Sequence, residues 1–292
     1  MAASTLYVVA TPIGNLDDIS ARALQVLNDV DVIACEDTRH SARLLQHFGI
    51  RTKMIACHDH NERNASAGIV ALLKGGKAVA LVSDAGTPLI SDPGYIVLRE
   101  VHNAGLKVSP VPGVSALVAA LSVAGLATDR FVFEGFLPAK AAARQARLRR
   151  VVDEQRTLVF YESSHRILAS LGDFCEILGA DRDVTMAREI TKKFETIHST
   201  NLAALRAFVE GDPQQQKGEF VLVVSGAKVV ADRIDSDHVL ALLLAELPLK
   251  QAAALTSKIT GANKNALYQT ALAMKELGKE AGRNVQGKAD DN

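Results

Sequence analysis

The sequence predicts an α/β protein with two domains and a helical appendage, and three observations support this prediction. Short β-branched runs at residues 6–10, 30–34, 79–82 and 108–111 alternate with helical patterns in the first part of the chain. Further strand-like runs follow residue 128, and the strand signal disappears after residue 235. Alternation of buried strands with helices is typical of a parallel sheet covered by helices.

The helical patterns between the first strands lie at residues 20–28 and 65–73. The second set of strands is predicted at residues 131–136, 157–161, 183–188 and 220–225, with a helix at residues 167–178. Residues 138–150 interrupt this set with alanines and basic residues, which predicts a mobile or helical excursion.

The C-terminal part of the chain is predicted to be helical. Helices are expected at residues 239–247 and 249–259, and Asn263 is expected to cap a last helix that runs to about residue 275. The predicted domains are residues 1–127 (N-terminal α/β domain), 128–232 (second α/β domain), 233–283 (helical helix-turn-helix-like appendage) and 284–292 (disordered tail).

Bulk composition excludes several classes of protein. Lys and Arg total 33 against 33 Asp and Glu, so any surface for nucleic acid must be local. The three cysteines lack Cys-x-x-Cys spacing, which argues against a disulfide framework and for a reducing compartment. The apolar stretch at residues 113–127 is shorter than the roughly 18 residues of a membrane span, and it predicts a buried helix. We expect a soluble cytoplasmic protein without membrane contact or a metal site.

Polar or glycine-rich segments follow each of the first four predicted strands, at residues 11–15, 36–39, 83–88 and 112–115. In an open parallel sheet the carboxyl ends of the strands share one edge, and ligands bind there. Tight turns made by glycine and proline are the alternative interpretation of each loop taken alone. The chain lacks G-x-x-x-x-G-K-[ST] and G-x-G-x-x-G, which argues against P-loop and Rossmann nucleotide sites.

Several long motifs resemble those of a known family. They read ATPIGNLDD (residues 10–18), CEDTR (35–39), SDAGTP (83–88) with SDPG (91–94), PGVSA (112–116), FYESSHR (160–166) and AREITK (187–192). In this order, over roughly residues 5–275, they resemble the tetrapyrrole methylase superfamily and, within it, the methyltransferases of small-subunit ribosomal RNA.

The resemblance implies a class III methyltransferase fold, a homodimer, and S-adenosylmethionine bound in a cleft between the two α/β domains. The family's Gly-Asp-Pro-like cofactor loop reads Gly86-Thr87-Pro88 here, so Thr87 replaces the aspartate and Asp84 stands nearby. The residues carried over as cofactor-binding are Pro12, Asp84, Ala85, Gly86, Thr87, Ile90, Ser91, Ser115, Tyr161, Glu162 and Val221.

The resemblance also implies 2′-O-methylation of a cytidine ribose in the decoding region of 16S ribosomal RNA. Positioning of the acceptor oxygen supplies much of such a rate, and a general base adds roughly 10²–10⁴-fold. Glu36 and Asp37, at the end of the second strand, are the candidate bases, and Arg39 beside them suits a phosphate or a carboxylate. An Asp–Arg pair that only braces the loop is the alternative.

Contacts to RNA phosphates are predicted on two local basic patches. The candidate residues are Lys140, Arg144, Arg147, Arg149, Arg150, Lys250, Lys258 and Lys264. A basic solvated helix face is the alternative for each patch, and a lid or a dimerisation element is the alternative for the appendage. Aromatic residues are only 4% of the chain, which is unlike an RNA-binding module built on base stacking.

Two other functions remain open from the sequence. One is a tetrapyrrole or diphthamide-pathway methylase with the same cleft and cofactor. The other is a ribosome-binding protein that keeps the fold without the reaction. The substrate is expected to be small-subunit ribosomal RNA, naked or in an assembled subunit.

Overall fold

A computed structural model describes residues 2–58, 60–228 and 236–286, with side chains described as far as residue 275. The chain divides into two units, residues 1–227 and residues 228–292. The first unit contains two five-stranded sheets. The elements around its first sheet are β1 (Thr5–Val9), α1 (Ala21–Asp29), β2 (Val32–Cys35), α2 (Thr38–His47), β3 (Lys53–Ala56), α3 (Glu62–Lys74), β4 (Val79–Val82), α4 (Tyr95–Asn103), β5 (Lys107–Val111) and α5 (Ala116–Val123).

The first sheet has the strand order β3-β2-β4-β1-β5, and all its pairs are parallel, as the sequence predicted. Successive residues of one strand face opposite layers of helices. Tyr7 and Val9 pack in one buried cluster with α1, whereas Leu6 packs in another with Ile69 of α3 and Val97 of α4. Burial on both faces explains why these strands appear in the sequence as continuous apolar runs.

The second sheet has the order β6-β7-β10-β8-β9. The β6–β7 pair is parallel and the other pairs are antiparallel. Its elements are β6 (Phe131–Phe136), α6 (Ala141–Arg149), β7 (Thr157–Ser163), α7 (Ile167–Leu178), β8 (Asp183–Arg188), β9 (Thr196–Asn201), α8 (Leu202–Gly211) and β10 (Glu219–Val224). One face is covered by a cluster around Phe160 and Phe174, and the other packs against Leu117 and Leu121 of α5. The predicted domain boundary at residue 127 falls between α5 and β6 and stays a prediction.

The apolar stretch at residues 113–127 contains the helix α5, but the prediction that it is buried was only partly right. Leu117, Ala120 and Leu121 are buried against the second sheet, whereas Val118 is 61% exposed and Val123 is 48% exposed. A helix that covers one face of a sheet buries one stripe, so its opposite side stays exposed.

The second unit contains three helices within the described residues: α9 (Ser236–Glu246), α10 (Leu249–Thr260) and α11 (Lys264–Gln286). Its core is formed by Leu240, Ala252, Ala253, Leu267 and Ala271. Gly261 ends α10 in the left-handed conformation, and the Asn263 side chain accepts hydrogen bonds from the backbone N–H groups of Asn265 and Ala266. The predicted break and cap are confirmed.

The core of this unit leaves part of α10 exposed. Leu255 and Ile259 are 40% and 48% exposed, whereas Leu240 of α9 is buried with Ala252 and Ala253. The predicted end of the last helix near residue 275 was wrong, because the helix continues to Gln286 and includes residues 284–286 of the predicted tail. Residues 287–292 and the predicted boundary at residue 232 lie outside the described residues. Within the described residues, no helix is both long and apolar enough to cross a membrane.

Candidate active site

The loops that follow β1 and β4 are joined at the carboxyl edge of the first sheet. The backbone N–H of Thr11 donates to the Gly86 carbonyl and the Gly86 N–H donates to the Thr11 carbonyl, each over 2.9 Å. Gly86 has a φ of 78°, a backbone conformation that residues with a Cβ rarely adopt. The hydroxyl of Thr87 donates to the Val114 carbonyl at 2.9 Å, which joins the loop after β5 to the same surface. The predicted convergence of these loops is confirmed.

The rest of the loop between β4 and α4 is held in an unusual backbone conformation. Leu89 and Ser91 have φ values of 72° and 69°, which are costly for residues other than glycine. At the end of this loop, the buried Glu62 carboxylate accepts hydrogen bonds from the N–H groups of Gly94 (3.0 Å) and Ile96 (2.8 Å) at the start of α4. A side chain of α3 therefore caps α4 and fixes the end of the loop.

A first cavity of about 470 Å³ lies against these loops and against the second sheet. This volume falls in the roughly 300–1,000 Å³ range of small-molecule sites. The predicted cofactor-binding residues that line it are Asp84, Ala85, Gly86, Thr87, Ile90, Ser91, Ser115, Tyr161, Glu162 and Val221. The remaining one, Pro12, lines a neighbouring cavity instead.

Tyr161 of β7 links the second sheet to α5 at this cavity. Its hydroxyl oxygen accepts a hydrogen bond from the Leu117 backbone N–H at 3.0 Å. Its ring contacts Phe133 and Phe136 edge-on, with centroid distances of 5.0 and 5.5 Å. Burial raises the pKa of Tyr161, so the phenol stays protonated at neutral pH. Tyr161 is therefore a rigid wall of the cavity.

Glu162 also lines the first cavity, but its carboxylate is already engaged. It is buried, accepts hydrogen bonds from the Ser163 backbone N–H and the Ser170 hydroxyl, and forms an ion pair with Arg166 at 3.1 Å. A buried carboxylate with three partners organises the segment that follows β7.

A second cavity of about 300 Å³ adjoins the first. Pro12, His40 and Arg43 line it, and the last two lie on α2. Five residues line both cavities and are referred to below as the shared wall: Ile13, Asp84, Ala85, Lys192 and Glu219. The two cavities are therefore contiguous.

Lys192 of the shared wall is not among the residues predicted from the sequence, although it ends one of the quoted motifs, whereas the resemblance already implied that the strand of Glu219 lines the cofactor site. The Lys192 ammonium pairs with Glu219 at 2.7 Å and with Glu189 at 2.9 Å. Burial alone would lower the pKa of Lys192, but the Glu219 and Glu189 carboxylates outweigh it and raise that pKa. Lys192 is therefore a fixed cation and is unsuited to act as a base.

The predicted catalytic residues lie beside the cavities. Among the described residues that line either cavity, Glu36, Asp37 and Arg39 are absent. The Asp37 carboxylate caps α2 by accepting the Arg39 N–H at 2.8 Å, and Asp84 Oδ1 accepts the Asp37 N–H at 3.0 Å. These contacts favour the bracing interpretation of Asp37 and place Asp84 at the cavities.

One of the predicted RNA contacts is wrong. Arg144 is buried, and its guanidinium pairs with the Asp173 carboxylate at 2.6 Å, because α6 packs that side of the helix against α7. Arg147 pairs with Glu134 and keeps 44% of its side chain exposed. The other candidates are exposed: Lys140, Arg149, Arg150, Lys250, Lys258 and Lys264. Among the residues that the structure describes, no three His, Cys, Asp or Glu side chains are grouped as a metal site would need.

Comparisons with known proteins agree with this fold. Residues 5–206 match the Tetrapyrrole (Corrin/Porphyrin) Methylases, and residues 230–275 match the RsmI C-terminal HTH domain. The crystal structure of the methyltransferase CobJ is similar with a TM-score of 0.57 and 20% identity, over 76% of this chain and 94% of that one.

Two curated relatives carry the same name, Ribosomal RNA small subunit methyltransferase I. The protein from Pseudomonas aeruginosa is 58% identical, over 93% of this chain and 98% of the relative. The protein from Escherichia coli O157:H7 is 54% identical, over 91% of this chain and 94% of the relative.

Fold and site together define a class III methyltransferase, an enzyme whose cofactor is S-adenosylmethionine. Within that class, the chain belongs to the ribosomal RNA small subunit methyltransferase I family of the tetrapyrrole methylases.

The residues of the first cavity fit this cofactor in charge as well as in size. S-adenosylmethionine carries a sulfonium and an ammonium group against a single carboxylate, so it is a net cation. Among the described residues that line the cavity, Asp84, Asp92 and Glu219 outnumber Lys192, and carboxylates stabilise a cation in a cleft. The apolar side chains of Ile90 and Val221 offer a surface for the adenine ring.

Proposed function

We propose that the protein transfers a methyl group from S-adenosylmethionine to the ribose 2′-hydroxyl of a cytidine in the decoding region of 16S ribosomal RNA. The observation that carries the proposal is the pair of contiguous cavities with a shared wall. The names of the curated relatives support the small ribosomal subunit as the source of the RNA. The cytidine and its ribose hydroxyl follow from the resemblance of the motifs.

The first cavity is assigned to the methyl donor and is called the donor cavity below. When bound, S-adenosylmethionine supplies a methyl group that its sulfonium already makes electrophilic. Gly86 leaves room for the ligand, Asp92 and Glu219 offset its positive charge, and Tyr161 holds the wall opposite the loops. Pre-positioned groups of this kind lower the barrier because they need not reorganise during the reaction.

The second cavity is assigned to the acceptor nucleotide and is called the acceptor cavity below. Its lining differs in charge from that of the first, because His40 and Arg43 of α2 face it in addition to Lys192. Arginine and lysine side chains suit the phosphates that flank a ribose. Placing the ribose here brings its hydroxyl to the shared wall, so the acceptor and the donor meet at that wall.

Asp84 is our candidate for the general base. It lines both cavities, and one of its oxygens holds the Asp37 N–H at 3.0 Å, which fixes the side chain. A carboxylate has further acceptor capacity for a ribose hydroxyl. Glu36 and Asp37 remain candidates from the sequence, with Arg39 as their partner, but among the described residues they do not line either cavity.

The wider RNA surface and the assembly are also part of the proposal. Exposed basic residues at both ends of α6 and along α10 suit phosphate contacts. We propose a cytoplasmic homodimer that acts on the small subunit or its RNA. A tetrapyrrole or diphthamide-pathway acceptor is disfavoured by the names of the relatives, and a non-catalytic role is disfavoured by the well-formed donor cavity.

A transfer assay tests this function. The enzyme is incubated with labelled S-adenosylmethionine and small ribosomal subunits from a strain that lacks the corresponding gene. We expect about one methyl group per subunit, resistant to alkaline cleavage at a single cytidine, whereas subunits that already carry the modification take up none. Label on a base, or no label on the unmodified subunits, would refute the proposal.

The lysines of the second unit give a separate prediction about RNA binding. We expect the variant K250A/K258A/K264A to bind small subunits with a log–log salt dependence about 2 less steep than that of the wild type, since each phosphate contact contributes roughly 0.7–0.9. Binding of S-adenosylmethionine should not change.

The matched control for this variant removes three exposed lysines of the first unit, in K53A/K74A/K107A. Equal salt slopes for the two variants would show that α10 and α11 do not contact the RNA. A change in molecular mass by light scattering would point to a role of these helices in assembly.

A further inference from the structure

The segment between β8 and β9, residues 189–195, presents a large apolar ring to solvent. Phe194 is 65% exposed, although burial of a phenylalanine side chain ordinarily favours folding. A single exposed hydrophobic residue is common on protein surfaces and means little alone. The position of this ring and its neighbours decide whether it has a function.

The loop that carries Phe194 has a fixed conformation. Glu189 and Thr191 have φ values of 50° and 66°, in the left-handed region that residues other than glycine seldom occupy. The Thr191 N–H donates to the Glu195 carboxylate at 2.7 Å, and the Glu195 N–H donates to the Lys192 carbonyl at 3.1 Å. Because the loop is already ordered, a ligand that binds to it loses little further conformational entropy on the protein side.

The same loop lies at the acceptor cavity. Lys192 belongs to the shared wall, and its side chain packs against Gly14 of the loop after β1. The Asn15 N–H donates to the Thr191 hydroxyl oxygen at 3.2 Å. Two residues of chain span at most about 7 Å, so the Phe194 backbone lies within that distance of Lys192. Phe194 therefore belongs to a segment that borders the place assigned to the acceptor nucleotide.

A positive charge accompanies the ring. The Lys193 ammonium lies 5.5 Å from the centroid of the Phe194 ring, within the range of a cation–π contact, and Lys193 is exposed. An aromatic face beside a cation is the combination with which proteins bind unpaired nucleotides, because the base stacks on the ring and the phosphate meets the cation. RNA supplies both groups in every unpaired nucleotide, a base for the ring and a phosphate for the lysine.

We propose that Phe194 and Lys193 form a binding site for one unpaired nucleotide of the RNA, adjacent to the methylated one. Its base stacks on the Phe194 ring and its phosphate pairs with Lys193. The site rests on the proposed function, since it takes the acceptor strand that the second cavity binds. It also agrees with the low aromatic content of the chain, because one ring positions one base and the rest of the RNA is held through its phosphates.

The test compares Phe194→Ala, Phe194→Leu and Phe194→Trp in the full-length protein. For methylation of small subunits, we expect F194A and F194L each to raise the KM for the subunit about tenfold, as the loss of one stacked base would. F194W should stay within about twofold of the wild type. The kcat at saturating subunit and the Kd for S-adenosylmethionine should change by less than about twofold in all three.

Tyr95→Ala is the matched control, because Tyr95 is an equally exposed aromatic residue (66%) on α4. An unchanged KM for the subunit in F194A would overturn the proposal. A KM in F194L as low as that in F194W would also overturn it, and so would a changed oligomeric mass of F194A. If the wild type itself transfers no methyl group to the subunit, the proposed function fails. If the wild type does so and F194A matches it, only this binding site fails.

Discussion

We expect Gly86→Val to abolish detectable binding of S-adenosylmethionine while the chain stays folded. Gly86 lines the donor cavity with a φ of 78°, and a Cβ there would lie 3.3 Å from Ile13 Cγ2 and 3.7 Å from the Val114 carbonyl oxygen. A valine must therefore push into the cavity or break the two hydrogen bonds with Thr11. Isothermal titration calorimetry should show a loss of affinity of at least about 100-fold.

A substitution at a second glycine distinguishes the effect of backbone strain from the effect of filling the cavity. Gly49 has a φ of 69°, close to that of Gly86, but no atom lies within 4 Å of a Cβ placed there. Gly49→Val should lose a similar amount of thermal stability and still bind the cofactor within about threefold of the wild type. Normal binding by G86V would mean that the cofactor lies elsewhere, and equal losses in both variants would mean that strain explains the defect.

The second large effect is expected for Asp84→Asn, which should lower kcat by at least about 10²-fold. An asparagine keeps an oxygen for the Asp37 N–H but cannot take a proton from a ribose hydroxyl. Asp37→Asn should keep kcat within about threefold, because asparagine caps a helix as well as aspartate does. Single-turnover methylation with saturating cofactor and subunit measures the chemical step in each variant.

Asp92→Asn is the control for this comparison, since Asp92 lines the donor cavity but not the acceptor cavity. It should weaken cofactor binding with little change in kcat. A 10²-fold loss in D37N with normal turnover in D84N would restore Asp37 as the base. Normal turnover in D37N, D84N and Glu36→Gln together would leave catalysis to positioning alone.

The central strands could be predicted from the sequence, whereas two edge strands could not. Strands such as β1 and β4 are buried on both faces, so their apolar runs are unmistakable. By contrast, β3 and β9 lie at the edges of their sheets, and their residues are mostly half-buried or exposed. Edge position alone is not the reason, since the edge strands β5 and β6 were predicted from their apolar runs. The sequences KMIA of β3 and TIHSTN of β9 contain too few β-branched apolar residues to form such a run.

The candidate site was predictable where topology alone brings residues together. The loops after β1, β4 and β5 converge because parallel strands end at one edge, so the Gly86 loop could be placed in advance. Lys192 reaches the same place because the loop after β8 packs on the loop after β1, through contacts such as Asn15–Thr191. Likewise, nothing in a basic run reveals that Arg144 has a partner 29 residues away at Asp173.

The shared wall also makes the two cavities thermodynamically linked. Asp84, Lys192 and Glu219 line both cavities, so under the proposed assignment the charge of one ligand alters the electric field at the other. If bound RNA raises the affinity for the cofactor by some factor, the bound cofactor must raise the affinity for RNA by the same factor. Methyl transfer removes the positive charge from sulfur, so the carboxylates of the wall hold the product less strongly than the donor. Methyl transfer thus lowers the affinity of the enzyme for the demethylated product through the same residues that bind S-adenosylmethionine.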